Sequence, residues 1–119
     1  MKIEIHSVDD KGKLDGERLW LKVKEDLSDL GYYQVADSTY HDDGTISNEL
    51  RHIYWFPPKG VKSGDWIRLY TKNGTNDKTT ATDGSTIHNF YWKLDRTVWN
   101  KGKDQAVLFE LKTWTSKAV

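Results

Sequence analysis

Along most of this chain, apolar and polar positions alternate every second residue. Ile3, Ile5 and Ser7 alternate with Lys2, Glu4 and His6, and Leu19, Leu21 and Val23 with Arg18, Trp20 and Lys22. Tyr33 and Val35 flank Gln34. His52, Tyr54 and Phe56 alternate with Arg51, Ile53 and Trp55, and Ile67 and Leu69 with Trp66, Arg68 and Tyr70. Successive side chains of an extended strand point to opposite faces, so a period of two predicts strands with one buried side. The runs are short and rich in aromatic and β-branched residues, which favours strands. Two more strands are expected over 87–94 (IHNFYWKL) and 105–114 (QAVLFELKTW).

Turn-forming clusters separate these runs. DDKGKLDG (9–16) predicts a hairpin connection, HDDGTISN (41–48) a loop, and KNGTNDKTTATDGS (72–85) a long polar loop. The only helix candidate, KVKEDLSDL (22–30), has poor apolar spacing and stops at Gly31, so one turn is its limit. Pro57-Pro58 must end the strand that finishes at Phe56, because proline has no N–H to give to a sheet ladder. Gly64 then supplies the turn into the next strand. Short strands at regular spacing with almost no helix predict an antiparallel sandwich or barrel, one domain over residues 1–119.

Composition narrows the function classes. The 119 residues hold 18 basic and 18 acidic side chains, a formal net charge of zero. A general nucleic-acid binder needs surplus Lys and Arg to displace counterions from phosphates, so no nucleic acid is expected as a partner. No electrostatic membrane anchor is expected either. Without cysteine there are no disulfides and no thiolate metal site. No run of about 18 apolar residues exists to span a membrane as a helix. The opening MKIEIHSVDD carries acids and no apolar stretch, and predicts no secretory leader. Both the cytoplasm and export as a domain of a larger parent stay open. The mean hydropathy of −0.79 is low, but 6 Trp, 6 Tyr and 3 Phe can each remove roughly 150–250 Å² from water when buried.

Several stretches in order resemble the lamin-tail domain family: DLGYYQVAD (29–37), HIYWFPPKGVKSGDWIRLY (52–70) and WNKGKDQAVLF (99–109). The family's pattern is a Leu-x-Gly-aromatic strand, an aromatic-x-Phe-Pro corner, a Gly before a hydrophobic strand, and a Trp followed by a Gly/Asp turn. Here these positions are Leu30, Gly31, Tyr33, Val35, Tyr54, Phe56, Pro57, Gly64, Trp99, Gly102 and Asp104. The likeness covers roughly residues 1 to 111 and implies an immunoglobulin-like β-sandwich of the family's bacterial type. Two departures stand out. ELKTWTSKAV lacks the glycine of the family's last hairpin, and the 72–85 loop is long and Thr-rich. Chromatin binding does not carry over, because no basic stripe supports it.

Candidate chemistry is sparse. HDDG (41–44), TDGS (83–85 with Thr82) and VDDKGKLDG (8–16) hold acids, but none has the alternating oxygens and final bidentate acid of a calcium loop. They are expected to be turns. His6, His41, His52 and His88 show no zinc spacing, and His52 is expected to be a hydrogen-bonded imidazole on the inner face. No serine has a nucleophile-elbow context, and no pair of acids can be nominated for acid–base work. No cofactor and no enzymatic activity are expected.

The rings carry the signal. Tyr33, Tyr54, Phe56, Phe90 and Trp92 fall on the inward parity, with Trp99 at the family's Trp position. Trp20, Trp55, Trp66 and Tyr70 fall on the outward parity among Arg18, Lys22, Arg51 and Arg68. Rings and guanidinium groups on one face can pair as cation–π contacts. Such a ladder can simply cover the outer sheet face, or it can form a recognition surface rich in hot-spot residue types. Two binding readings follow: a non-catalytic interaction module meeting a protein partner or its own twin through Trp20, Trp55, Trp66, Tyr70, Arg51 and Arg68, or a carbohydrate-binding module. A metal-dependent hydrolase is the weakest reading.

Overall fold

In the computed structural model, which describes residues 1–100 and 104–119, alternation sorts the side chains onto two facing sheets. The strands are β1 (Ile3–Asp9), β2 (Arg18–Val23), β3 (Tyr33–Thr39), β4 (Ile53–Trp55), β5 (Trp66–Tyr70), β6 (Asp77–Thr80), β7 (Thr86–Tyr91) and β8 (Asp104–Glu110). A five-stranded sheet runs β1-β2-β5-β7-β6, and a three-stranded sheet runs β4-β3-β8. The two make an all-β sandwich. Leu19, Leu21, Val23, Ile67, Leu69 and Phe90 supply its core from the large sheet. Tyr33, Val35 and Phe56 meet them from the small one, with Trp99 and Val98 closing an end.

Most pairings are antiparallel, as the hairpin-rich sequence predicts. The β1–β2 hairpin is closed by the connection over 9–16, and β2 pairs β5 with Leu19 opposite Leu69 and Leu21 opposite Ile67. The pair β5–β7 is the exception: it is parallel. A parallel pair needs a crossover, and the missing strand was hidden in the segment 72–85. That stretch is not a plain loop. Its Asp77–Thr80 forms β6, an edge strand hairpinned onto β7. Its side chains are all exposed, so no buried face gave it a periodic signature.

Other expectations shift by a residue or a turn. The helix candidate over 22–30 does not form. Lys22 and Val23 finish β2, Leu27 makes an isolated bridge to Val61, and only a 3-10 turn appears at Leu30–Tyr32. A bulge between Ile5 and Ser7 resets the alternation in β1, so that Ser7 falls opposite outward Trp20 and Val8 opposite buried Leu19, which brings Val8 onto the core. One inserted residue does this because each step flips the face. The last strand stops at Glu110 rather than running to Trp114.

The corner behaves as expected. Phe56 is buried, its N–H bonds to the Tyr33 carbonyl, and Pro57 and Pro58 leave the sheet exposed. Gly64 has φ of 92°, in the left-handed region that glycine enters without a Cβ clash. Of the family-like positions, Gly102 lies outside the described residues.

Candidate functional site

The outer face of the large sheet is a woven surface of rings and cations. Register places Arg18, Trp20 and Lys22 of β2 opposite Tyr70, Arg68 and Trp66 of β5, so each ring has a cation across the strand. The Lys22 ammonium sits 4.1 Å from the Trp66 ring centre. The Arg68 guanidinium lies 5.0 Å from Trp20 and 5.1 Å from Tyr70. Trp20 and Trp66 meet edge to face at 5.7 Å, and His6, swung out by the β1 bulge, meets Trp66 edge-on at 5.0 Å. Tyr70 stacks on Tyr91 of β7, with ring planes 11° apart. A Cβ at Gly74 would run into the Tyr91 ring, so the glycine lets the backbone close over that ring.

Polar groups brace the rings. The Trp20 indole donates to Asp9 at 3.0 Å. Arg68 Nε donates to Asn89, whose amide in turn donates to Asp77 at 2.8 Å and reaches Thr79. Asn89 lies on the outward parity yet is buried, because Arg68 and the β6 edge cover it. A hollow of about 360 Å³ remains beside this lattice. Trp20 and Trp66 form its corner, His6 and Ser7 one rim, and Ala81 and Ile87 the other.

The six residues expected to share one face do not. Trp20, Trp66, Tyr70 and Arg68 come together on the large sheet. Trp55 lies on β4 of the small sheet, whose outer side faces the opposite way, and Arg51 precedes β4. Parity tells which side of its own sheet a residue occupies, and is silent on which sheet. Arg51 is committed elsewhere, 3.4 Å from the buried Asp37 carboxylate and 2.8 Å from Asp104. Trp55 donates its indole N–H to the Gly31 carbonyl at 2.7 Å and meets Trp114 edge-on at 4.6 Å. Gly31, Trp55, Pro58 and Trp114 line a second groove of about 520 Å³.

The expected structural residues otherwise sit inside. Tyr33, Phe56 and Trp99 are buried, and Trp92 packs partly buried against Tyr54 and Trp99. The Tyr33 hydroxyl donates to Glu110, and its pKa is pushed up to about 12, first by burial and then by that hydrogen bond.

Sequence reasoning placed the acids on turns and missed the buried ones. Glu17 is 0% exposed. One carboxylate oxygen accepts the N–H of Gly12 at 2.9 Å and of Trp99 at 3.2 Å. The other accepts the Thr71 hydroxyl at 2.6 Å and the Val98 N–H at 2.8 Å. The signal was present, since Glu17 shares the parity of Leu19, Leu21 and Val23. The same holds for Asp37, on the parity of Tyr33 and Val35, and for His88, on that of Phe90. His88 donates its Nε2–H to the Asp65 carboxylate at 2.8 Å, while its Nδ1 is buried without a partner. Burial acts to raise the Asp65 pKa, but hydrogen bonds from His88 and from the Lys62 N–H outweigh it and hold the group below its usual range. His52 is hydrogen-bonded to Asp37 but its side chain is largely exposed, not part of the inner face, and meets the edge of Trp92.

Among the described residues, no three His, Asp or Glu side chains are grouped to hold a metal ion. Asp43 and Asp83 instead accept bonds from Thr45 and Ser85 two residues on, in self-closed turns that hold both carboxyls below the usual range. No described helix is long and apolar enough to cross a membrane. Comparison with protein-family models, with curated proteins and with solved structures finds no match.

Proposed function

We propose that the chain is a non-catalytic interaction module, built on a lamin-tail-like, immunoglobulin-like sandwich, and that the outer face of its large sheet docks a protein partner. The observation that carries this reading is the ordered ring-and-cation lattice of Lys22, Trp66, Trp20, Arg68 and Tyr70 beside an apolar hollow. Trp, Tyr and Arg are the residue types that dominate binding energy at protein interfaces. Because each ring is already held by a neighbour, little side-chain freedom is lost when a partner arrives. The right-angled corner of Trp20 and Trp66 fits one apolar side chain, and the surrounding cations suit acids at its edge. The family-like positions support the scaffold: Phe56 and Trp99 fill the core, and Gly64 turns the chain.

A sugar is disfavoured as the ligand. Hydroxyl recognition wants free amides and acids beside the rings, and here Asn89 and Asp77 are bonded to each other, while Asp9 holds the Trp20 indole. The absence of catalysis is supported by the way the buried acids and histidine serve as internal ties.

Filling the hollow tests the proposal. Ala81 sits on the turn leading into β7 and lines the rim, so Ala81→Arg adds bulk and charge there while leaving the lattice in place. Affinity capture with the wild-type chain should retain partners that Ala81→Arg loses at an unchanged melting temperature. Equal retention by both chains would reject the surface. Binding on a glycan array that Ala81→Arg abolishes would reassign the same face to carbohydrate, and sedimentation would reveal a second copy as the partner.

A further inference from the structure

The small sheet borders a second groove, different in kind from the hollow on the large one. We infer that the groove between the 3-10 turn, the Pro57-Pro58 corner and the C-terminal segment binds a proline-rich peptide in the polyproline II conformation, with a basic residue flanking the prolines. Its walls are the most exposed rings near this sheet: Tyr32 at 43%, Trp55 at 43% and Trp114 at 52% exposed. Three segments far apart in sequence bring them together. Leu30–Tyr32 lifts Tyr32 out of the sheet, Trp55 stands on the outward parity of β4, and the chain after β8 lays Trp114 against it.

Three features select this occupant. Trp55 and Trp114 meet with their planes at 85°, leaving a right-angled slot whose faces are flat and apolar, the shape onto which a pyrrolidine ring packs. The Trp114 indole N–H and the Tyr32 hydroxyl have no partner among the described residues, whereas the Trp55 indole is locked onto Gly31. A polyproline II backbone makes no internal hydrogen bonds and offers its carbonyls outward, so isolated side-chain donors in an aromatic groove suit it. An added β-strand would need a longer free edge, and β4 has three residues before Pro57 ends it.

Charge fixes the flanking residue. Asp29 is the one charged side chain in the groove lining. One of its oxygens caps Gly31 N–H at 2.8 Å, and the other is uncommitted. A Lys or Arg beside the prolines meets that carboxylate as it lies in the groove. The site is separate from the large-sheet face, so neither proposal depends on the other.

The test uses the whole chain labelled with nitrogen-15, following the indole N–H signals assigned by Trp→Phe variants. The probes are decaproline with a C-terminal arginine, decaproline with a C-terminal glutamate, a Gly-Ser peptide ending in arginine, and cellohexaose. The arginine-ended decaproline should shift the Trp55 and Trp114 signals saturably and leave those of Trp20 and Trp66 in place. Trp114→Ala and Tyr32→Ser should each weaken binding about tenfold, worth ~1.4 kcal/mol, with melting unchanged. Asp29→Asn should erase the preference for the arginine-ended over the glutamate-ended peptide. Ala81→Arg, which blocks the other face, should change nothing. The inference fails if decaproline gives no saturable shift up to roughly millimolar concentration. It also fails if the Gly-Ser peptide does as well, if Trp20 and Trp66 respond instead, or if cellohexaose alone moves the Trp55 and Trp114 signals.

Discussion

The two outer faces of this sandwich use the same residue types in opposite ways. On the large sheet, Trp20, Trp66 and Tyr70 are held by Lys22, Arg68 and each other, and their polar neighbours close onto Asp9, Asn89 and Asp77. On the small sheet, Ile53 is 52% exposed, and it and Trp55 project from β4 on the same side as Val107 and Phe109 of β8. Trp114 there keeps an unspent donor. A ring braced by its neighbours adds to stability and presents a fixed surface, while a ring with an unspent donor leaves a hydrogen bond still to be made. Composition cannot separate the two cases; the hydrogen bonds around each ring can.

The contrast can be broken first at what joins the two sheets. Glu17 immediately precedes β2 of the large sheet and holds the N–H groups of Val98 and Trp99, on the approach to β8 of the small one. Glu17→Ala leaves four donors without their acceptor, at about 1–3 kcal/mol for each group stranded from water. Allowing for water entry, a total loss of roughly 3–5 kcal/mol is expected in urea unfolding, with Glu17→Gln recovering part of it through its amide oxygen.

The next effect sharpens the contrast directly. Trp66→Ala removes a ring wedged among Lys22, His6 and Trp20, and should cost about 2 kcal/mol. Trp114→Ala removes an exposed ring and should cost less than about 0.5 kcal/mol. Equal losses in paired thermal or urea melts would erase the distinction between the faces.

The smallest effect lies in acid. The Asp65 carboxyl is held below its unfolded value of 3.8, so it adds stability at pH above 3.8 that drains away as pH falls through its lower folded value. Asp65→Asn should therefore be less stable than the wild type at neutral pH, and the two stability curves should converge at the acid end.

Much of the fold was legible because burial on one side of a strand imposes a period of two. Leu19, Leu21, Ile67 and Leu69 announced the large sheet, and Tyr33, Val35 and Phe56 the small one. β6 was not legible, since DKTT has no buried side to impose a pattern. The bulge at Ile5 and Ser7 was equally silent, because an inserted residue leaves the composition intact. The candidate site was half legible. Alternation alone put Trp20, Trp66, Tyr70 and Arg68 on the outward parity, but their register, and the place of Trp55 on the other sheet, needed the order of strands. The groove at Trp114 depends on how an irregular segment returns past β8, and no local pattern encodes that path.

The order β1-β2-β5-β7-β6 against β4-β3-β8 has a further consequence. Dividing the chain anywhere between β3 and β4 leaves neither piece with a whole layer, because each layer draws strands from both pieces. The lattice needs β2 beside β5, and the groove needs residues from near 30, 55 and 114 at once. Either proposed surface is thus an epitope that comes into being only with the finished tertiary structure, and a ligand of either would read out completed assembly.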